Sequence, residues 1–261
     1  MRRPVVAGSF YPANPESLRA EVSDYIHKNP DDSVIACVSP HAGYMYSGRT
    51  AGKIHSILPD VETYVILGPN HSGYGSPVAV SVDTWSTPLG EVEVDKEFID
   101  AMPHIIIDID ETAHRYEHSL EVQVPFLQLL HEDFKIVPIC VGMQDEETAE
   151  EITEEIIQAK EKTGKNIVVI ASSDMHHYLP DSQCRQLDAR VIDSIKTMNV
   201  SEYYSTIYNL QASVCGYGVI AVAMNFANHC GARAELVDYS TSGDVADKSM
   251  VVGYAAIAFR V

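Results

Sequence analysis

The sequence predicts a single α/β domain spanning 1–261, with a largely parallel or mixed central sheet sandwiched between helices. Short apolar runs recur at 33–38 (SVIACV), 63–68 (TYVILG), 77–82 (PVAVSV), 134–141 (FKIVPICV) and 166–171 (NIVVIA). Their length and β-branched content are those of strands buried on both faces. Helical patterns separate most of them, and strands alternating with helices imply a parallel, doubly covered sheet. No repeat, low-complexity segment or Pro/Gly linker divides the 261 residues, so one large domain accounts for the length.

The elements follow in chain order. In ANPESLRAEVSDYIHK, Asn14 caps, Pro15 takes the first helical position, and Leu18, Val22, Tyr25 and Ile26 form one face. A helix is predicted at 49–58 and another at 119–131. The clearest is EETAEEITEEIIQAKEK, where Ala149, Ile152, Ile156 and Ala159 repeat at helical spacing and Gly164 supplies the stop. Helices at 182–197 and 217–229 and a last strand pair at 233–240 and 250–259 complete the set.

Composition narrows the function classes. Hydrophobic residues at 46% and charged residues at 21% describe a globular chain. A formal charge of −19 argues against nucleic acid as a partner, since that binding rests on clustered Lys and Arg. A solvated acidic surface is the plain reading of the charge. No run reaches the roughly 18 apolar residues of a membrane span, and the first residues lack the apolar stretch of a secretory signal. Cys37, Cys140, Cys184, Cys215 and Cys230 are an odd number without a CxxC pair; they read as reduced thiols of a cytoplasmic protein.

Three of the strand runs are followed within a few residues by a histidine-bearing loop: His41 in SPHAGYMYSG, His71 in GPNHSGYG, and His176 and His177 in SSDMHHY. Ligands of open α/β sheets bind at the carboxyl ends of strands, so a metal site or an acid/base site leads. The blander account of any one histidine is a satisfied loop residue. Adjacent side chains of an extended segment face opposite ways, so His176 and His177 do not serve one site alike, and spacing does not say which one does. Tyr44, Tyr46 and Tyr74 are placed to wall a pocket or to pack under the loops. His27, His55, His104, His131 and His229 lack this placement and read as surface or packing residues.

Cys215 precedes Gly216, Gly218 and an apolar helix, where the helix dipole favours thiolate, both a soft metal ligand and a nucleophile. A buried cysteine acting as a small hydrophobe is the structural alternative. The GYG after it lacks the lysine of a phosphate loop. In RYEHSLEVQVPFL, Glu117, His118 and Glu121 open the 119–131 helix, as a capping box or as a carboxylate and imidazole supporting the pocket.

The ordered motifs GSFYPANP (8–15), SPHAGYMYSG (39–48), LGPNH (67–71), EHSLEVQVPFL (117–127), SSDMHHY (172–178), CGYGVIAVAM (215–224) and VVGYAA (251–256) resemble the Memo family from end to end. That resemblance implies the fold of the class III extradiol non-haem iron dioxygenases. It further implies a metal held by His41, His71 and Cys215, with His177 as acid/base group and Asp174 beside it. Phe10, Tyr11 and Tyr46 are implied as pocket walls, while the supporting place of His118 and Glu121 rests on their spacing alone. The dioxygenases use a carboxylate as third ligand; a thiolate is softer, so Fe(II) leads while Cu and Zn stay open, and dioxygenase activity does not follow from the fold. Eukaryotic members carry a further histidine where this chain has Gly218, and their binding of phosphotyrosine peptides is not carried over. The expected partner is a small-molecule or peptide ligand in the pocket. Three functions remain: a metal-dependent redox or oxygenase-like enzyme, a non-enzymatic metal- or peptide-binding module, and a thiol hydrolase in which Cys215 attacks and His177, oriented by Asp174, takes the proton.

Overall fold

A computed structural model describes residues 1–261. The chain runs α1 (Pro15–Ser23), β1 (Val34–Ser39), α2 (Tyr44–His55), β2 (Thr63–Pro69), β3 (Val78–Val80), β4 (Trp85–Thr87), β5 (Gly90–Val92), α3 (Lys96–Ala101), β6 (Asp108–Ile109) and α4 (Glu111–His114). It continues with a 3-10 turn at Glu121–Gln123, α5 (Val124–Leu130), β7 (Lys135–Val141), α6 (Glu146–Thr163), β8 (Ile167–Ser172), β9 (His177–Leu179) and α7 (Asp181–Lys196). Last come α8 (Val200–Leu210), α9 (Tyr217–His229), β10 (Arg233–Thr241) and β11 (Val251–Arg260).

The sheet order is β10-β11-β1-β8-β2-β7-β3-β6, with β9 on β11. Its centre, β1-β8-β2-β7, is parallel. The flanks are antiparallel where β11 meets β1 and β3 meets β7, so the sheet is mixed around a parallel core. The central strands are apolar at almost every position and buried on both faces, as helix-covered parallel strands must be. Every residue of β2 is buried.

Local chemistry sets the helices. Asn14 caps α1 by accepting from the Ser17 amide at 3.0 Å, and Leu18 and Val22 are fully buried, worth about 2 kcal/mol each in transfer terms. Asp145 caps α6 through the Thr148 amide at 3.0 Å, and Gly164 ends it at φ 69°. Two helices differ from the sequence expectation. The helix predicted at 49–58 begins at Tyr44, because Gly43 caps it and the Tyr44 ring is buried against Tyr11 and Phe126. The helix predicted at 119–131 is a 3-10 turn followed by a short helix with Pro125 in its first turn, where a missing N–H costs nothing. The α8 helix, capped by Asn199, is not among those expected from the sequence; it carries Val200, Tyr203, Tyr204 and Ile207 inward.

Candidate metal centre

The parallel strands deliver the histidine loops to one edge. His41 lies two residues beyond β1, His71 two beyond β2, and the segment Ser173–His177 follows β8 directly. Cys215 arrives from the opposite direction, on the connection between α8 and α9. The ligand atoms of His41, His71 and Cys215 all lie within 4.8 Å of one another. His41 Nε2 stands 3.2 Å from Cys215 Sγ, and the His41 and His71 rings meet edge-on with centroids 5.2 Å apart. His41 is buried, Cys215 half-buried, and His71 is at the mouth with 35% of its side chain exposed.

Hydrogen bonds fix which nitrogen each imidazole offers. Gln123 Nε2 donates to the Pro40 carbonyl at 3.0 Å and to Ser172 Oγ at 2.8 Å, which leaves its Oε1 to accept from His55 Nε2 at 2.8 Å. Ser172 Oγ in turn donates to the Ser119 carbonyl at 2.6 Å. With its proton committed, the hydroxyl can only accept from His41 Nδ1 at 3.0 Å. His41 therefore carries its hydrogen on Nδ1 and turns a bare Nε2 toward Cys215. Burial, with the His71 and His118 rings beside it, pushes His41 well below the ordinary imidazole range, so the ring is neutral.

Glu117 does the same for His71. Its buried carboxylate accepts from the His71 amide at 2.5 Å, from His71 Nδ1 at 3.0 Å, and from the amides of His118 and Ser119 at 2.8 Å each. Burial alone would raise this carboxyl, but the His71 hydrogen bond and charge and the backbone donors outweigh it and hold it well below the usual carboxylate range. The ionised Glu117 keeps the His71 hydrogen on Nδ1 and leaves Nε2 free, the carboxylate–histidine arrangement that orients metal ligands.

Around these three groups stand the other expected residues. Asp174 is buried; its Oδ1 accepts from the His41 amide at 2.8 Å, and its own amide donates to Cys215 Sγ at 3.2 Å. Burial pushes the Asp174 carboxyl up, against the pull of the His41 amide and the neighbouring imidazoles. Burial likewise pushes the Cys215 thiol up, with Asp174 adding to it, so a bare thiolate here is disfavoured and a cation beside it would reverse that. His177 is half-buried and takes the Ser213 carbonyl on Nδ1 at 2.8 Å, leaving its Nε2 unengaged. His118 stacks on His71 at 4.7 Å and sits edge-on to Phe10 at 4.9 Å. Two imidazole nitrogens and a sulfur, each presented by a fixed neighbour, fit a transition metal of borderline to soft character.

Several expectations are corrected. Tyr11 walls no pocket: it is buried, and its hydroxyl donates to Glu121 Oε1 at 2.6 Å. Glu121 also does not support the pocket. It accepts from Arg2 at 2.8 Å and from the Val5 and Val6 amides, so it bolts the first residues of the chain to the domain, while Glu117 holds the site. Tyr44 is core, its hydroxyl on the Val122 carbonyl. Asp174 does not orient His177; its carboxylate is taken by the His41 amide, and His177 leans on Ser213. Phe10 and Tyr46 do face open space. With Tyr178, Met250, Val252 and Tyr254 they line a groove of about 450 Å³ beside the histidines.

Ser172 and Gln123 escape assignment from sequence, and Glu117 stands out there only with the capping and pocket-supporting readings both open. A carboxylate preceding two backbone donors beside a histidine hints at Glu117, whereas nothing local marks a strand-end serine or a helical glutamine as the fixers of a tautomer.

The comparisons agree with this architecture. The chain is 74% identical over its whole length to a MEMO1 family protein of Archaeoglobus fulgidus, which it covers completely, and 51% identical to one of Methanococcoides burtonii, again over 100% of both chains. A solved structure of an uncharacterized Escherichia coli protein aligns with 86% of this chain and 99% of its own at a TM-score of 0.54 and 12% identity, a likeness of fold. The Memo-like protein family model matches residues 2–258, and the chain belongs to the Memo family.

Proposed function

We propose that the chain is a metal-dependent redox protein or oxygenase-like enzyme whose metal is held by His41 Nε2, His71 Nε2 and Cys215 Sγ. The observation that carries this is the convergence of three donor atoms within 4.8 Å on imidazoles whose Nδ1 positions are both already committed. Fe(II) leads among the ions, with Cu and Zn suited by the sulfur. The ion would supply Lewis acidity or electron transfer at the mouth of the pocket. The chain's own residues then divide the remaining work. His177, with Nδ1 held by Ser213, offers Nε2 as the acid/base group. Asp174 ties the His41 loop to the Cys215 sulfur. Phe10 and Tyr46 border the groove into which a small-molecule or peptide ligand extends. The thiol-hydrolase reading with His177 and Asp174 as relay loses support, because His177 leans on Ser213 and the Asp174 carboxylate on the His41 amide, and the imidazole against the Cys215 sulfur is His41. All five cysteines are free thiols, which supports a cytoplasmic setting; no helix is long and apolar enough to cross a membrane.

The test is metal analysis of protein purified without a chelating tag, with anomalous scattering at the iron, copper and zinc edges. Wild type and His177→Ala are expected to hold one ion per chain, and Cys215→Ser and His71→Ala to lose it. Equal metal in wild type and Cys215→Ser defeats the assignment. Binding without turnover in the same pocket is the second reading, and the aromatic groove supports it; an ion retained with no reaction across catechol and redox screens would favour it.

A further inference from the structure

The geometry points to Gln144 as the positioning residue that aims Cys215, holding the cysteine's loop from both sides with one amide group. This rests on the reading of Cys215 as a metal ligand. Gln144 lies in the loop after β7, a fourth strand whose exit reaches the same edge as the three histidine loops. Its Nε2 donates to the Cys215 carbonyl at 2.9 Å, and its Oε1 accepts from the Gly218 amide at 2.8 Å. The orientation of the amide is unambiguous, because a carbonyl can only accept and an N–H can only donate.

The clamp answers a need of the backbone. Helix α9 has Gly216 as its N-cap residue and no side-chain cap of its own, although its first amides require acceptors. Gln144 supplies one from another element, and Ser173 Oγ supplies another by accepting from the Gly216 amide at 2.9 Å. Cys215 is thus held at three points: its carbonyl by Gln144, the following amide by Ser173, and its sulfur by the Asp174 amide. The glycines make room for this. A Cβ on Gly218 would come within 2.6 Å of Gln144 Cβ, and one on Gly216 within 2.7 Å of Ser173 Cβ. Gln144 is itself fixed: Tyr204 donates to its carbonyl at 2.9 Å, and the preceding Gly142 and Met143 amides both bond to the Pro77 carbonyl. Fixing the carbonyl of Cys215 fixes the rotation about its Cα–C bond. That sets the direction of the Cα–Cβ bond, and the Asp174 amide on Sγ then selects the rotamer, so the sulfur is aimed before any ligand arrives, the role of supporting residues around a metal.

The experiment uses the full chain with Co(II) as probe, comparing wild type with Gln144→Glu and Gln144→Ala. Gln144→Glu keeps the acceptor for Gly218 but sets an oxygen against the Cys215 carbonyl, so it isolates the donor half of the clamp if the alanine variant fails to fold. Both variants are expected to bind Co(II) about 10-fold more weakly, as losses of supporting residues do, with an altered thiolate-to-Co(II) charge-transfer absorption, which a merely structural role would leave unchanged. Unchanged affinity and spectrum in Gln144→Glu overturn the proposal. If Cys215→Ser shows the same absorption as wild type, the ligand reading is at fault, and alkylation of the metal-free chain by iodoacetamide decides the clamp. Cys215 should then react about 5-fold faster in Gln144→Glu, the cost of one hydrogen bond, with Cys230 as internal reference; equal rates overturn it.

Discussion

Ser172→Ala removes one oxygen atom and tests the tautomer argument directly. Ser172 is fully buried, and its hydroxyl has three partners: the Ser119 carbonyl at 2.6 Å, Gln123 Nε2 at 2.8 Å and His41 Nδ1 at 3.0 Å. Gln123 Nε2 keeps the Pro40 carbonyl, so it loses least. His41 Nδ1 loses its partner outright, at about 1–3 kcal/mol for a buried unsatisfied donor, and the Ser119 carbonyl loses a donor at about 1 kcal/mol. The total is about 3 kcal/mol, or about 6 °C in Tm for a chain of this size. The second consequence is chemical. Without the hydroxyl, nothing holds the hydrogen of His41 on Nδ1, and the tautomer with hydrogen on Nε2 can bond to Cys215 Sγ instead. Metal binding must then restore the right tautomer, and affinity should fall about 10- to 100-fold. Urea titration reads the first effect, Co(II) titration the second, and 15N imidazole shifts report the tautomer. A variant with wild-type stability refutes the accounting, and one with wild-type Co(II) affinity and an unchanged tautomer refutes the claim that Ser172 sets the ligand nitrogen.

Other variants and conditions probe the frame around the site. His55 and His114 are fully buried, and burial pushes each down to about 4; the unfolded chain takes up their protons below about pH 6.5 while the folded chain refuses them until about pH 4. Their stabilisation is thus complete above the upper limit and is lost as pH falls through that window, by about 3 kcal/mol for each residue; urea midpoints unchanged from pH 7 to pH 4 would contradict this. Arg2→Ala should cost about 3 kcal/mol, because it leaves the buried Glu121 without its cation and frees the His114 and Glu117 carbonyls that the guanidinium engages; a thermal melt within 1 °C of wild type, against the several degrees expected, would contradict it. His176→Ala should cost about 2 kcal/mol by removing the imidazole hydrogen bond to the buried Asp188, which keeps the residue 176 amide and the Tyr239 hydroxyl, whereas His177→Ala should stay within about 0.5 kcal/mol as a half-exposed residue; the reverse order in urea unfolding would refute the division between them.

The fold was legible because its evidence is periodic. Runs such as TYVILG and NIVVIA are apolar at almost every position, as strands covered on both faces are, and the repeat in EETAEEITEEIIQAKEK admits one helical face. The strands they form bring His41, His71 and the His176–His177 segment to one edge, as the order of the runs predicts, whereas the choice of His177 over His176 rests on the resemblance. Spacing failed where tertiary contacts decide. Glu117 and Glu121 are both acidic, four residues apart and buried, yet one serves His71 and the other Arg2 and Tyr11, and the choice depends on where the first eleven residues fold back. Tyr11 and Tyr46 likewise look equivalent in sequence, while one hydroxyl is buried on a carboxylate and the other ring stands at the groove. Ser172 and Gln123 carry no local signal, since their partners lie 49 or more residues away in the chain.

The paired histidines show how the edge is built. His176 points inward, where Asp188 Oδ1 accepts from both its amide at 3.0 Å and its Nδ1 at 2.6 Å. Asp188 Oδ2 is bound at the same time by the Tyr239 hydroxyl at 2.6 Å. The carbonyl of His176 accepts from the Gly253 amide at 2.9 Å, and the Met175 amide donates to the Gly253 carbonyl at 2.8 Å. One histidine is therefore consumed in fastening the segment to α7 and β11. Because successive side chains alternate, that fastening obliges His177 to face the other way, where the Ser213 carbonyl takes its Nδ1 at 2.8 Å. Glu117 and His118 repeat the scheme: the carboxylate side chain has no exposure and gathers backbone donors, while the adjacent imidazole keeps 22% exposure beside His71. In each pair the inward residue spends its hydrogen bonds on geometry, and its neighbour keeps a ring free for chemistry. A loop anchored in this way can carry a reactive group without strand-like regularity. The adjacency of the two histidines is accordingly a consequence of anchoring, and only one of them needs a role in the site.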